Sequence, residues 1–439
     1  MIIRKIFKKT TNPIVNYIKG IISNLFEQLG YYIIKKGGLV KITGEKLPFS
    51  YNMIPREEYR FAHPLVHGYP DVHLETYKVN PEKDDEIIAE RLINSYQKAI
   101  KDEEGIINRP QKDLWEILRQ VKHNDFVQLL EQRDPVALSE YLCNMSKYSI
   151  THGMTQGPDN YKRIAANKSI NRWYAALYID KLVTLGEAIG CLPYENPEFG
   201  RWGENLYIKI DDLVAKIEEV IGIDITPPRI SGELFGIASR KGIFHFRDIN
   251  SIYTAWRIRE LLKNINNPSV CEIGGGTGRV AYYCYKMGIK NYTIIDLPYV
   301  CVISAYYLIK SLPDAKIILY GEKDDEWTDS IKIYPYWCFN EIPDNYFDLT
   351  LNQDSFPEID YEIVIEYLKQ IKRNTRNYFL SINQESLSAA TGVNNTRLIV
   401  SQLLTKLEGE YKRIYRFPYW LREGYLEELY KIIKSTGQE

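Results

Sequence analysis

The spacing of apolar residues changes character along the chain. From 81 to about 222 they recur every three or four positions, the period of helices with one buried face. Ile87, Ile88, Leu92, Tyr96 and Ile100 make one stripe; Leu114, Trp115, Leu118 and Val121 make a second. Phe126, Leu129 and Leu130 follow Asp125, a residue suited to capping a helix, and Pro135 opens the next helix, expected to reach Met145. The spacing predicts one long helix over 161–189, carrying Trp173, Leu177, Leu182 and Leu185. Another covers 210–221, with Asp211 and Asp212 favourably placed in its first turn.

Past residue 269 the pattern becomes short apolar runs separated by helical stretches. Runs at 270–273, 292–295, 316–320, 347–351 and 378–382 predict five strands, and 411–415 a sixth or seventh. Strands alternating with helices pack as a parallel sheet covered on both faces. The expected fold class is α/β, a doubly wound, mostly parallel sheet preceded by an α-helical domain. Four segments are expected: 1–40, a basic amphipathic helix; 41–225, mostly helical; 226–265, a linker and a helix over the site; and 266–439, the sheet domain.

The first segment has its own logic. Asn12 and Pro13 make a helix start, and Ile14, Ile18, Ile21, Leu25, Leu29 and Tyr32 follow at helical spacing. Lys19 and Glu27 interrupt the apolar run, so it is not a membrane span, and it lacks the compact apolar core of a signal peptide. Arg4, Lys5, Lys8 and Lys9 precede it and Lys35 and Lys36 follow. Such a helix either docks on its own domain or a second subunit, or lies on an anionic membrane surface. His63, His67 and His73 fall in a proline-rich stretch with no cysteine nearby, and read as loop histidines rather than metal ligands.

Composition narrows the function classes. The chain has 439 residues and a net charge of −1, so no overall basic field exists to hold nucleic acid. Six cysteines show no paired spacing, which fits reduced thiols in a cytoplasmic protein, with peripheral membrane contact open through residues 1–40. The 35 tyrosines suit stacking on sugars, but abundant Ile, Lys and Asn point first to a biased genome.

The chemistry concentrates in residues 269–298. A short apolar run ends in Glu272 and Ile273 and meets Gly274, Gly275, Gly276 and Gly278. A helix follows, then a second apolar run ending in Asp296. Glycines let the backbone approach a ligand, and an acid about 20 residues on meets a ribose diol. A dinucleotide fingerprint starting at Gly274 lacks its third glycine, because Arg279 stands there. The alternative frame, Gly276-x-Gly278-x-x-Ala281, begins three residues past the strand end.

Glu272 followed by Gly-x-Gly-x-Gly resembles motif I of the class I S-adenosylmethionine-dependent methyltransferases. Together with SGELFGI, RDINSIYTAWRI, NQDSFPEID and FPYWLREGY, it resembles the bacterial sugar O-methyltransferases found with surface-polysaccharide genes. The likeness covers about 230–430. It implies a Rossmann-like fold, S-adenosylmethionine as cofactor and a sugar or glycan acceptor. Glu272, Gly274, Gly275, Gly276 and Gly278 would frame the methionine end, Asp296 the ribose, and Leu297 and Glu322 the adenine. Asn352 and Gln353 would reach in from the fourth strand, and Arg257 would meet the methionine carboxylate.

Transfer to a hydroxyl calls for a proton acceptor. Asp354, three residues past the fourth strand, is the first candidate; His245 and Glu385 follow. Arg247, Tyr419, Trp420 and Arg422 are candidates for holding a sugar. Magnesium on Asp354 and Glu385 is allowed but not expected, since paired aspartates after the fifth strand are absent. Another hydroxylated metabolite or a lipid-linked acceptor remains open, as does a non-catalytic cofactor-binding scaffold.

Overall fold

The structure is a computed structural model of the whole chain. It describes residues 31–33, 39–41, 70–106, 114–155, 157–196, 198, 202–323, 329–385, 398–407 and 409–434. The helical reading of 1–30 and the positions of His63 and His67 lie outside these. Tyr31–Ile33 (β1) and Leu39–Lys41 (β2) pair antiparallel, so the helical spacing that reaches Tyr32 meets a strand there.

The chain divides into two compact units. The first comprises Met1–Glu75, Asp159–Ile217 and Phe235–His245. In it Leu74–Glu75 (β3), Gly236–Ala238 (β4) and Ile243–Phe244 (β5) form a small antiparallel sheet, of which β4 and β5 lie in the stretch expected as linker and β3 in the segment expected as mostly helical. The helix Lys168–Ala188 packs on it, and the Asn171 amide both accepts from the Leu74 N–H at 2.6 Å and donates to its carbonyl at 3.0 Å. The long helix expected over 161–189 is in fact two, Pro158–Ala166 and Lys168–Ala188. Asn167 breaks the run: its side chain accepts from the N–H groups of Ser169 and Ile170, which starts a new helix.

The second unit, Thr76–Pro158, Glu218–Leu234 and Phe246–Glu439, carries an eight-stranded sheet. Its strands are Ser269–Ile273 (β6), Asn291–Asp296 (β7), Lys316–Leu319 (β8), Ser330–Pro335 (β9), Phe347–Gln353 (β10), Thr375–Gln384 (β11), Tyr411–Pro418 (β12) and Tyr425–Ile432 (β13). The order is β12-β13-β11-β10-β6-β7-β9-β8. Pairing is parallel from β8 to β11, and β13 runs antiparallel to both its neighbours. This is the expected Rossmann-like doubly wound α/β sheet. The sequence reading missed two strands, β9 and β13. β9 lies close behind β8, and β13 sits in the aromatic, charged stretch after β12.

The inner strands are buried along their length, as parallel strands covered on both faces must be. On one face Phe339, Phe347, Phe356, Val364, Leu368, Ile371 and Phe379 have no exposed surface and form the core under the helix Tyr361–Asn374. On the other, the helix Pro298–Ser311 packs on β7, β8 and β9. The helix Lys83–Glu103 covers Pro298–Ser311 in turn, burying Ala89, Leu92, Ile93, Tyr96 and Ala99. There the Tyr306 hydroxyl donates to buried Asp85 at 3.0 Å. The helices from 83 to 143 therefore belong to the sheet's own unit, and the helical stretch expected as one domain is split between the two units. Sequence periodicity marks a buried face but not what covers it.

β6 is central, with β7 on one side and β10 on the other, so the crossovers leave it in opposite directions. That reversal opens a crevice at the carboxyl ends of the strands. The glycine turn after β6, Asp296 closing β7 and Asp354 just past β10 all come to it. Among the described residues no helix is long and apolar enough to cross a membrane.

Candidate active site

A pocket at this crevice is lined by Glu272, Gly274, Gly275 and Gly276, by Asp296 and Leu297, and by Gln353 and Asp354. Arg247, from the first turn of the helix Phe246–Leu262, joins them. All these residues belong to the second unit.

The turn is built for close approach. Gly274 has φ 78° and packs on Ser355, where a Cβ would collide with the side chain. Gly276 has φ 57°, and a Cβ there would meet nothing within 4 Å, so its bare backbone faces open space. Its N–H donates to Asp296 Oδ2 at 2.9 Å, while the Leu297 N–H donates to Oδ1 at 2.8 Å. Gly278 does different work. It precedes the helix Arg279–Lys286 with φ 77° and lets it close on Leu308, 3.1 Å from where a Cβ would stand.

Two acids here have carboxyls raised above the ordinary range. Burial pushes Glu272 up to about 7; the Tyr292 hydroxyl, donating at 3.0 Å, lowers it, and the nearby charge of Asp296 raises it. Burial likewise pushes Asp296 up to about 6 against the two backbone N–H groups it accepts from. The pocket therefore stores unfavourable negative charge that a cationic ligand would relieve.

Asp354 is the opposite case. Burial alone would raise it, but the Arg422 and Arg247 guanidiniums and the Tyr425 hydroxyl hold it below the usual carboxylate range. Arg247 Nη1 lies 3.1 Å from Oδ2, Arg422 donates to the same oxygen, and Tyr425 donates to Oδ1. The Asp354 backbone is left-handed, φ 61°, and its N–H donates to the Ile382 carbonyl at 3.0 Å. Aspartate tolerates that region better than most residues. A carboxylate so paired is ionised at neutral pH and is a weak proton acceptor.

The remaining sequence candidates fall elsewhere. Asn352 is fully buried behind the pocket, where its amide donates to the Ile273 carbonyl at 3.0 Å and to Ser355 Oγ at 2.6 Å, tying β10 to the glycine turn. Glu322, expected at the adenine edge, takes both Arg91 nitrogens at 2.6 and 2.8 Å and does not line the pocket. Arg257, expected at the methionine carboxylate, pairs with buried Glu427 at 2.9 Å and Tyr415 at 2.9 Å. Glu385 pairs with Arg416 at 2.7 Å and accepts from Ser401. The carboxylates considered for magnesium, Asp354 and Glu385, are thus each already faced by arginine.

His245 belongs to the first unit and is absent from the pocket lining. It has no exposed surface; its Nε2 lies 3.2 Å from the Tyr161 hydroxyl and its ring stands edge-on to Tyr178 at 5.6 Å. Tyr419 is buried just behind the lining, its hydroxyl donating to the Asn250 carbonyl at 3.3 Å and lying 3.5 Å from Gln353 Nε2. Trp420 is exposed. Arg422 is absent from the pocket lining; it pairs with Asp354, and its guanidinium carbon lies 3.9 Å from the Tyr425 ring centre.

Sequence reasoning missed several lining residues. Tyr336 follows β9 and was lost with that strand. Arg279 stands first in the helix after the turn, pairs with buried Asp248 at 2.8 Å, and was legible only as the missing third glycine. Trp115 reads only as part of an apolar helical stripe, and nothing in the sequence around Met154 marks it as a site residue.

No protein-family model matches the chain, and no curated protein matches it. Solved structures are similar to part of it. One is a SAM-dependent methyltransferase from Aquifex aeolicus, 15% identical over 40% of this chain and 89% of that one, TM-score 0.28. Another is the 1,6-didemethyltoxoflavin-N1-methyltransferase of Burkholderia thailandensis with bound S-adenosylhomocysteine, 17% identical over 42% of this chain and 79% of that one, TM-score 0.30.

Proposed function

We propose that the chain is an S-adenosylmethionine-dependent O-methyltransferase acting on a sugar or glycan hydroxyl, in the assembly of a bacterial surface polysaccharide. The observation that carries the cofactor is the pairing of Asp296 with the Gly276 N–H at a turn whose bare backbone faces the pocket. The residues present fit the group. Asp296 keeps lone pairs for a ribose diol, and Leu297, Val300, Tyr336, Ile359 and Tyr367 supply apolar lining for a purine. Glu272 and Asp296 offer negative charge to a ligand that carries an ammonium and a sulfonium. Arg279, pocket-lining and first in its helix, replaces Arg257 as the partner for a carboxylate. A nicotinamide or flavin dinucleotide fits less well, because a pyrophosphate beside Glu272 and Asp296 would set like charges together.

The cofactor, when bound, supplies an activated methyl group. The protein then has to align the acceptor oxygen and exclude water. Gln353, Asp354, Arg247 and the residues around Asn250 form the polar wall for the acceptor. Asp354 orients the hydroxyl and takes its proton. A strong base is not required, since an alcohol becomes a very strong acid as its oxygen is methylated. The paired carboxylate suffices and stays ionised throughout the working pH range.

The test is transfer of labelled methyl from S-adenosylmethionine to neutral and acidic oligosaccharides, followed by mild alkali. An ether survives alkali and an ester does not. Label in an alkali-stable ether on a sugar supports the proposal. Label on nitrogen, on an ester or on a non-sugar hydroxyl overturns the acceptor assignment.

A further inference from the structure

Two residues of the helical stretch enter the same pocket from far upstream. Trp115 lies in the helix Leu114–Val121 and Met154 in the turn after the short helix Ser149–Thr151. Both belong to the unit that holds the sheet. We infer that Trp115 and Met154 bind the cofactor, so that the helical stretch completes its site and is not a separate module. The inference rests on the cofactor reading above.

Their placement is fixed by Gly153 and His123. Gly153 is left-handed, φ 84°, and a Cβ on it would stand 3.1 Å from the Trp115 ring, so the indole lies directly on the turn backbone. His123, with no exposed surface, ties this turn to the sheet layer. Its Nε2 is 3.1 Å from the His152 carbonyl and its Nδ1 is 3.3 Å from the Tyr299 hydroxyl. A carbonyl can only accept, so Nε2 carries the proton and Nδ1 accepts from Tyr299. Burial pushes His123 down to about 4, which keeps it neutral and the tie intact. Tyr299 precedes Val300, which lines the pocket, on the helix that follows Asp296. The turn carrying Met154 is thus anchored to the helix that directly follows the ribose acid.

The chemistry of the pair suits this ligand. An indole face and a thioether are apolar and polarizable. They exclude water from an adenosyl group, and an aromatic face favours a cation without competing for hydrogen bonds.

The experiment uses the full-length chain and titrates S-adenosylhomocysteine into wild type, Trp115→Ala, Trp115→Phe, Met154→Ala and Met154→Leu. Wild type should bind, and each alanine variant should weaken Kd by about tenfold, as loss of a buried anchor side chain does. Trp115→Phe and Met154→Leu should recover most of that loss. Since Trp115→Ala also removes packing on Gly153, the two Met154 variants carry the result if that protein fails to fold. Wild-type binding with every variant within about twofold of it overturns the inference and leaves the cofactor reading standing. No wild-type binding overturns the cofactor reading, and this inference with it.

Discussion

Replacing Glu272 with glutamine should make the cofactor-free protein more stable and a poorer cofactor binder. Glu272 is 3% exposed, and folding moves its carboxyl from 4.5 to about 7. A carboxyl whose pKa rises on folding favours the folded state while protonated. That contribution is fully present below the ordinary value and is lost as the pH rises through about 7. The displacement amounts to roughly 3 kcal/mol at about 1.4 kcal/mol per pH unit. Glutamine keeps the shape and can still accept from Tyr292, but never ionises. Its advantage over wild type should therefore be about 1 kcal/mol near pH 5 and about 3 kcal/mol near pH 8. Urea unfolding of both proteins across that range gives the difference directly, provided m is unchanged. S-adenosylhomocysteine, titrated into the same samples, should bind the variant more weakly, because one of two acids facing the ligand's cationic end is gone. An advantage that is flat with pH, or a variant less stable than wild type at about pH 8, would refute the reading that Glu272 is held at an energetic cost for the ligand's sake.

Three further outcomes follow from the geometry. Asp354→Asn should lower kcat by roughly 10²–10⁴-fold, the range for loss of a proton acceptor, with cofactor Kd changed little; a rise in KM alone would reduce Asp354 to a positioning role. Because Arg422 and Arg247 hold Asp354 below the ordinary range, kcat should stay flat from about pH 6 to 9, while cofactor affinity falls as Glu272 and Asp296 protonate below about 7 and about 6. A kcat limb near neutral pH would assign the proton to another group. His245→Ala should cost about 1–3 kcal/mol of stability, measured by denaturant unfolding, and leave kcat in place; a kcat loss without a stability loss would return His245 to the catalytic machinery.

Much of this is legible in the sequence. The central sheet followed from apolar runs, because a parallel strand is buried on both faces and tolerates little else. The glycine turn and Asp296 followed from spacing, because both are local to one strand–turn–helix–strand unit. What failed was non-local. Arg257 and Glu322 sit at the right sequence positions for cofactor contacts, yet each faces a partner about 170 or 231 residues away, Glu427 and Arg91. His245 is a candidate proton acceptor by residue type, but it directly follows β5 of the small sheet and packs between Tyr161 and Tyr178. Asp354 was placed correctly at the end of β10, and its environment was not foreseeable, since Arg422 and Tyr425 arrive from 68 and 71 residues further on. Trp115 and Met154 obeyed ordinary helical and turn patterns, so nothing set them apart from core residues.

The account stands on the cofactor, and one titration reaches it most directly. Calorimetry of the full chain with S-adenosylhomocysteine, beside NADH under the same conditions, should give one site per chain in the micromolar range for the first, about −8 kcal/mol, and no heat for the second. Asp296→Ala should weaken that binding by roughly 1.5–3 kcal/mol for each ribose hydrogen bond lost to the charged acceptor. NADH binding without S-adenosylhomocysteine binding would contradict the account.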